Sequence, residues 1–207
     1  MIQLLGQPSS INVRKVRWLL HELALPHLQV PYGAGHQPTD TAEFRALNPN
    51  GLVPVLRDGE LVLWESNTIC RYLASREQRD DLLPRAPAPR ARIEQWMDWQ
   101  ATELNTAWRY AFMALVRHSP AHTDRTAVRD SVQAWNRHMQ IIDAQLDKTG
   151  HFMAGPDFTL ADIVIGLSVN RWLMTPMAHA ELPAVAAYVE RLGQRTGYRL
   201  HGGNGTP

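Results

Sequence analysis

A proline-rich segment divides this chain into two stretches with different patterns. Three of the six residues from Pro84 to Pro89 are prolines, and such a run does not continue a helix but favours an extended spacer. Before it, strand and helix patterns alternate, whereas every pattern after it is helical. We therefore predict an α/β domain over residues 1–78, a linker over 79–89 and an all-α domain over 90–207.

The first stretch follows the order β-α-β-α-β-β-α. Its strands are short apolar runs, beginning with Ile2 to Leu5, and its first helix repeats apolar residues at spacings of three and four. Because a helix joins the first two strands, we expect them to be parallel. Asp58-Gly59 separates the last two strands and predicts a hairpin whose two turn residues both adopt positive φ.

The second stretch contains amphipathic helices only. The longest apolar repeat runs from Val128 to Leu146 with alternating steps of four and three residues. Thr159 is followed three residues later by Asp162, a variant of the capping box that starts a helix. Beyond Leu200 the chain is rich in glycine, which predicts a frayed tail.

Composition excludes several classes of protein. The chain carries 21 Lys and Arg against 20 Asp and Glu, a formal charge of +1, which argues against a nucleic-acid binder. Cys70 is the only cysteine, so an internal disulfide, a Cys-x-x-Cys redox pair and a zinc cage of the usual kind are excluded, and we expect no metal. A signal-peptide pattern and a membrane-length apolar run are both absent from the sequence, which predicts a cytoplasmic protein without a membrane partner.

Four motifs then resemble one known family. They follow one another in the order Ser9 to Val16, Asn48 to Leu56, Leu63 to Ile69 and Thr159 to Asp162. This order and spacing is similar to the glutathione transferase superfamily, in particular to its bacterial theta-like and nu-like members. The resemblance implies a thioredoxin-like N-terminal domain that binds glutathione, and a helical-bundle C-terminal domain that supplies a pocket for the electrophile.

The thiol of glutathione needs a hydrogen-bond donor that favours the thiolate. A thiol titrates near pH 8.5, and only the thiolate attacks electrophiles. The N-terminus of the first helix offers free N–H groups and a positive dipole end. By resemblance, the theta-like classes place their serine donor at Ser10, and the nu-like proteins place an asparagine donor at Asn12. Each residue is equally suited to be a simple helix N-cap.

The resemblance also assigns the rest of glutathione. Leu52 and Val53 precede Pro54, where the family has a cis-proline turn whose backbone pairs with the cysteine of glutathione. Glu65 and Ser66 stand where a helix begins, and would hold the γ-glutamyl ammonium and carboxylate. The loop after the second strand offers His36 and Gln37 for the glycine carboxylate, although His36 is also consistent with an ordinary solvated loop residue.

The second substrate is expected to bind the helical domain. Aromatic and methionine side chains suit flat apolar electrophiles, and arginines 109 and 117 lie among the candidates. Each candidate on its own is also consistent with ordinary core packing. The candidates are Trp108, Tyr110, Phe112 and Met113.

The function predicted on this basis is transfer of glutathione thiolate to small apolar electrophiles, as in detoxification, with glutathione as co-substrate. One alternative is a nu-like glutathione-dependent disulfide reductase or peroxidase, in which Asn12 would matter most. Another is a non-catalytic binding module built on the same fold. Large apolar residues at Trp96, Met97 and Trp99, beside the third helix, predict a homodimer.

Overall fold

The computed structural model describes residues 1–207, all of the chain, and its N-terminal part is built on one four-stranded sheet. The strands lie in the order β2-β1-β3-β4. β1 pairs with β2 in parallel, as predicted, and with β3 antiparallel. The strands are β1 (Ile2–Leu5), β2 (His27–Val30), β3 (Val55–Asp58) and β4 (Leu61–Trp64).

The hairpin between β3 and β4 is present, but its turn differs from the predicted one. Asp58 is the last residue of β3 and pairs with Leu61, so the two-residue loop consists of Gly59 and Glu60. Only Gly59 has a positive φ, at 60°. A glycine at the first loop position is what a II′ turn requires, and the prediction that both Asp58 and Gly59 adopt positive φ was therefore wrong.

Helices cover both faces of the sheet. One face, which includes Leu4 and Leu56, joins the main hydrophobic core of the protein. The other face packs Leu5 and Val55 against Phe44 in a small separate cluster. Alternating strand residues thus point to opposite sides, as the strand geometry requires. The helices of this domain are α1 (Ile11–Glu22), α2 (Ala42–Leu47) and α3 (Ser66–Arg76).

The C-terminal domain is entirely helical. Its first two helices are joined by a π-helical segment, Gln100–Leu104, and form one continuous helical run from Pro87 to Leu115. The helices are α4 (Pro87–Trp99), α5 (Asn105–Leu115), α6 (Arg125–Thr149), α7 (Leu160–Met174), α8 (Pro183–Gly193) and α9 (Thr196–His201). None of the helices in the structure is both long and apolar enough to span a membrane.

The start of α4 lies inside the segment predicted as a linker. Pro87 and Pro89 both belong to its first turn. The N–H groups of a first turn have no partner within the helix, so a proline there removes no hydrogen bond. The helix therefore begins at Pro87, three residues before the predicted start of the helical domain.

α7 is the central helix of the C-terminal domain. Each residue from Leu160 to Trp172 is buried. At its start the carboxylate of Asp162 accepts hydrogen bonds from the N–H groups of Thr159 at 2.8 Å and Met153 at 2.9 Å, and from the hydroxyl of Tyr188 at 3.0 Å. The capping arrangement predicted from the sequence is thus present. Burial raises the pKa of Asp162 to about 6.

The chain beyond Leu200 is folded back on the protein, contrary to the predicted frayed tail. The guanidinium of Arg14 donates to the carbonyl oxygens of His201 at 2.6 Å and Gly202 at 2.7 Å. The amide of Asn170 donates to the carbonyl oxygen of Thr206 at 2.8 Å. Glycine content indicates a flexible local backbone, but these distant side chains supply partners for its carbonyl groups.

The hydrogen-bond arrangement at Asp162 predicts a large loss of stability in Asp162→Asn. An asparagine presents a single acceptor oxygen, so buried donors on one side of the carboxylate lose their partner, at a cost of about 1–3 kcal/mol each. We expect the free energy of unfolding in urea at pH 7 to fall by at least that amount. Asp157→Asn, an exposed position in the same loop, is the matched control and should leave the stability unchanged. Equal stabilities of the two variants would contradict the role given to Asp162.

Candidate functional site

Three segments of the N-terminal domain converge at the end of β1. The backbone of Gly6 has φ 151°, and a Cβ built there would lie 2.5 Å from Cγ2 of Val13 and 3.1 Å from Cβ of Val53. Gly6 therefore permits a close approach of α1 and of the loop before β3, since no side chain separates them. This approach brings the N-terminus of α1 beside the Val53-Pro54 segment.

The N-terminus of α1 carries both predicted thiol donors. Ser10 is the N-cap, with extended backbone dihedrals, and its hydroxyl makes no capping hydrogen bond. The first turn contains no acidic residue, so the positive end of the helix dipole is not neutralised by its own side chains. Asn12 is half-buried, and its Oδ1 accepts a hydrogen bond from the hydroxyl of Ser66 at 3.4 Å.

The N-terminus of α3 meets α1 through this Asn12–Ser66 contact. Ser66 is 5 % exposed, whereas the preceding Glu65 is exposed and has φ 70°. A positive φ is uncommon for a residue with a side chain, and such backbone strain concentrates at functional sites. The strained turn leaves the Glu65 carboxylate in solvent directly beside a buried hydroxyl at a helix N-terminus.

The predicted proline turn borders the same region. The Val53-Pro54 peptide bond is cis, as the motif predicts. Leu52 is 65 % exposed, and its carbonyl oxygen accepts a hydrogen bond from the Asn48 amide at 2.7 Å. The backbone ahead of β3 is therefore fixed, while the Leu52 side chain stays in solvent.

The loop after β2 presents the remaining glutathione candidates. His36 and Gln37 are both exposed. The backbone of Gln37 accepts a hydrogen bond from the N–H of Gly33 at 2.9 Å, and that of His36 donates to the carbonyl of Gly33 at 2.8 Å. A compact turn thus holds the backbone of the two residues, and both side chains remain available to solvent.

Two of the four candidates for the electrophile pocket lie together on α5. The rings of Trp108 and Phe112 pack edge to face at a centroid distance of 5.4 Å. Tyr110 lies against His122 and accepts a hydrogen bond from the N–H of Asp124, so it packs on the loop before α6. Met113 is partly buried against the main core.

The structure adds buried cations that the sequence analysis missed. Lys15 is 1 % exposed, and its ammonium donates to Oε1 of Gln100 at 2.8 Å and to Oδ1 of Asn67 at 3.2 Å. Arg14 and Arg171 are 1 % and 4 % exposed. The sequence did contain a signal for these arginines, because both interrupt apolar helical stretches. Charged residues are rarely fully buried unless they are paired.

Lys15 also connects the two domains by a series of hydrogen bonds. Gln100, which accepts from Lys15, donates through Nε2 to Oδ1 of Asn105 at 2.9 Å. The same oxygen accepts from the indole N–H of Trp108 at 3.0 Å. The ring of Trp108 is thereby held in a fixed position relative to α1, on which Ser10 and Asn12 stand.

The single cysteine is buried near Lys15. Cys70 is 0 % exposed, and burial raises the pKa of its thiol to about 12. A thiol in that state is a poor nucleophile. The structure contains no group of three or more His, Cys, Asp or Glu side chains arranged to hold a metal ion.

Comparison with known families matches both halves of the chain. Residues 9–76 match the model of the glutathione S-transferase N-terminal domain, and residues 104–195 match that of the glutathione S-transferase C-terminal domain.

Individual relatives extend over nearly the whole chain. The glutathione S-transferase GstB of Escherichia coli K12 is 38 % identical over 201 residues, which cover 96 % of both chains. Glutathione S-transferase 3 of Zea mays is 36 % identical over 78 % of this chain and 73 % of its own. The theta class glutathione S-transferase of Xanthomonas axonopodis pv. citri, crystallised with glutathione bound, superposes with a TM-score of 0.90 at 35 % identity over 97 % of this chain and 96 % of its own.

Proposed function

The chain belongs to the glutathione S-transferase family, and we propose that it binds glutathione and transfers its thiolate to small apolar electrophiles. The observation that carries the proposal is the contact of two helix N-termini, at which the Ser66 hydroxyl meets Asn12 at 3.4 Å. Two such termini side by side form a site for the anionic groups of one ligand, because their N–H groups and dipoles favour negative charge.

The γ-glutamyl end of glutathione is assigned to the start of α3. The N–H and hydroxyl of Ser66 hold the α-carboxylate, and the carboxylate of Glu65 pairs with the ammonium. Support for this assignment comes from the strained backbone at Glu65, with φ 70°, which sets an exposed acid beside a buried hydroxyl.

The remainder of glutathione is assigned along the adjacent loops. Backbone groups of Leu52 and Val53, ahead of the cis Pro54, pair with the cysteine residue like an added strand. His36 or Gln37 then binds the glycine carboxylate from the loop after β2. This order is supported by the exposure of both loop side chains and by the hydrogen bond that fixes the Leu52 carbonyl.

The sulfur is assigned to the N-terminus of α1. Ser10 has no capping hydrogen bond, so its hydroxyl is free to donate to the thiolate. Asn12 accepts from Ser66 through Oδ1, and its Nδ2 hydrogens make it the alternative donor. In the reaction the thiol proton passes to solvent, the sulfur forms a bond to the electrophilic carbon, and the leaving group departs with its electron pair. The electrophile is assigned to α5, at the ring pair of Trp108 and Phe112, with Met113 and Tyr110 as the remaining candidates.

We also propose that the protein acts as a homodimer. Trp96, Trp99 and Ile141 line a common groove on the surface, and Ile141 is 45 % exposed. Met97, predicted to belong to this surface, is 0 % exposed and lies in the core of the monomer. A two-fold pair of copies would cover the tryptophans in a self-complementary interface.

The assignment of Glu65 predicts that Glu65→Ala weakens glutathione binding more than it slows the chemical step. A charge-assisted hydrogen bond contributes about 1.5–3 kcal/mol, so the Kd from calorimetric titration should rise at least about tenfold. The variant should also bind glutathione and its des-amino analogue equally, because the ammonium has lost its partner. Glu60→Ala, in the neighbouring hairpin loop, is the control. An unchanged Kd in Glu65→Ala would refute the assignment.

The assignment of Ser10 predicts that Ser10→Ala raises the pKa in the pH–rate profile and lowers kcat on an aryl halide, while the Kd of glutathione changes little. Each unit of pKa shift of the bound thiol corresponds to about 1.4 kcal/mol. Asn12→Ala should have a smaller effect on both quantities. The opposite pattern, with full activity in Ser10→Ala and loss in Asn12→Ala, would instead favour the disulfide reductase.

The proposed dimer predicts the mass in solution. Light scattering at micromolar concentration should give twice the chain mass of 23.4 kDa. Trp96→Glu places a charge in the proposed interface and should give the monomer mass with unchanged circular dichroism. A monomer mass for the unmodified chain would rule out this interface.

A further inference from the structure

Arg171 is a buried cation without a partner in the protein. Its side chain is 4 % exposed, and its Nε is buried without a hydrogen-bond acceptor. The guanidinium lies 4.1 Å from the ring centre of Phe112 and 4.6 Å from that of Trp108. The aromatic faces stabilise the cation and fix its plane, but they leave the N–H donors without the planar acceptor that arginine binds best.

Two further arginines lie near Arg171, and neither Arg171 nor Arg117 forms an ion pair with a carboxylate. The guanidinium of Arg117 lies 5.5 Å from the centre of the Phe112 ring, which Arg171 also contacts. Arg14 donates to the carbonyl oxygens of His201 and Gly202, to Oδ1 of Asn204, and to the backbone oxygen of Pro207 at 3.1 Å. Burial, and then the positive charges of Arg14 and Arg117, lower the pKa of Arg171 to about 9. We call Arg14, Arg117 and Arg171 the cation cluster.

The cation cluster lies beside the helix that carries the thiol donors. A Cβ at Gly166 of α7 would meet the ring of Trp18, near the end of α1. Residues one turn further along α7 therefore lie beside earlier residues of α1, and Asn170 and Arg14 indeed hold the same C-terminal segment. The N–H of Arg14 donates to the carbonyl of Ser10, so Arg14 is one helical turn, about 5.4 Å, beyond the proposed sulfur donor.

We propose that the electrophile accepted by this protein carries a carboxylate, which Arg171 and Arg117 bind while its reactive carbon faces the N-terminus of α1. This inference rests on the proposed transfer of glutathione and narrows its substrate class from apolar electrophiles to acids with an apolar body. Arginine binds carboxylates through two parallel hydrogen bonds, which orient the substrate as well as retain it. For an aryl halide acid, the thiolate sulfur forms the new carbon–sulfur bond, halide leaves with its electron pair, and the thiol proton goes to solvent.

A matched pair of substrates tests the inference. We compare 4-chloro-3,5-dinitrobenzoate with 4-chloro-3,5-dinitrobenzamide, each rate being divided by its uncatalysed rate with glutathione. The unmodified protein should prefer the acid by about tenfold or more in kcat/KM. Arg171→Gln should lower kcat/KM for the acid by about 10- to 100-fold, with little change for the amide or in the KM of glutathione. Arg171→Lys should retain part of the preference for the acid.

Additional variants separate binding from folding. Arg117 is exposed, so Arg117→Gln tests the cluster without changing the core, and it should weaken the preference for the acid by a smaller factor. Arg129→Gln, on the surface of α6 beside Asp130, is the control and should behave as the unmodified protein.

Calorimetry with the two finished glutathione conjugates gives a readout that does not depend on turnover. The acid conjugate should bind more tightly than the amide conjugate, and Arg171→Gln should remove the difference. Equal binding of the two conjugates to the unmodified protein, or equal losses for both substrates in Arg171→Gln, would overturn the inference. If the proposed transferase function itself were wrong, the result would be different: the unmodified protein would then not bind glutathione in the calorimeter.

Discussion

The relative position of the two domains depends on the burial of one ammonium group. The ammonium of Lys15, on α1, lies between α3 and the π-helical segment. Its two acceptors are the neutral amides of Asn67 and Gln100. Asn67 in turn donates to the carbonyl of Met97 at 2.7 Å. Burial lowers the pKa of Lys15 to about 8, so any shift between the domains that broke these contacts would leave a desolvated cation. Lys15 therefore favours this arrangement of the domains, together with the Arg195–Glu22 ion pair.

The π-helical segment allows Gln100 to contact Lys15 while Trp108 lies at the proposed electrophile pocket. It directs Gln100 toward Lys15. Through Asn105 it also fixes the indole of Trp108 against the guanidinium of Arg171. An extra residue in a helical turn rotates everything after it by about 100°, which is how π-segments re-aim side chains at functional sites. A regular helix from Pro87 to Leu115 would direct either the amide of Gln100 away from Lys15 or the ring of Trp108 away from Arg171.

The sequence predicted those parts of the fold that depend on local patterns. The order of strands and helices along the N-terminal domain, the hairpin, the cis Pro54 and the start of α7 each follow from residues a few positions apart or from a short motif. The turn at Gly59, the helical start at Pro87 and the folded tail were mispredicted, because each is decided by pairing register, helix position or distant partners. The proposed site residues Ser10, Asn12, Glu65 and Ser66 come from family motifs. The cation cluster was missed, since its members lie more than fifty residues apart in sequence.

Net charge gave no indication of the cluster either, because a formal charge of +1 describes the total and not its distribution. Neighbouring charges interact strongly in a poorly solvated site, because screening by salt is weak there. The positive charge of Arg14 helps to lower the pKa of Arg171, and a thiolate at the N-terminus of α1 would lie in the same positive field. That field favours the thiolate independently of the donor at Ser10. In the proposed site the arginines would thus connect two properties, the ionisation of glutathione and the choice of an acidic electrophile, through one electrostatic cause.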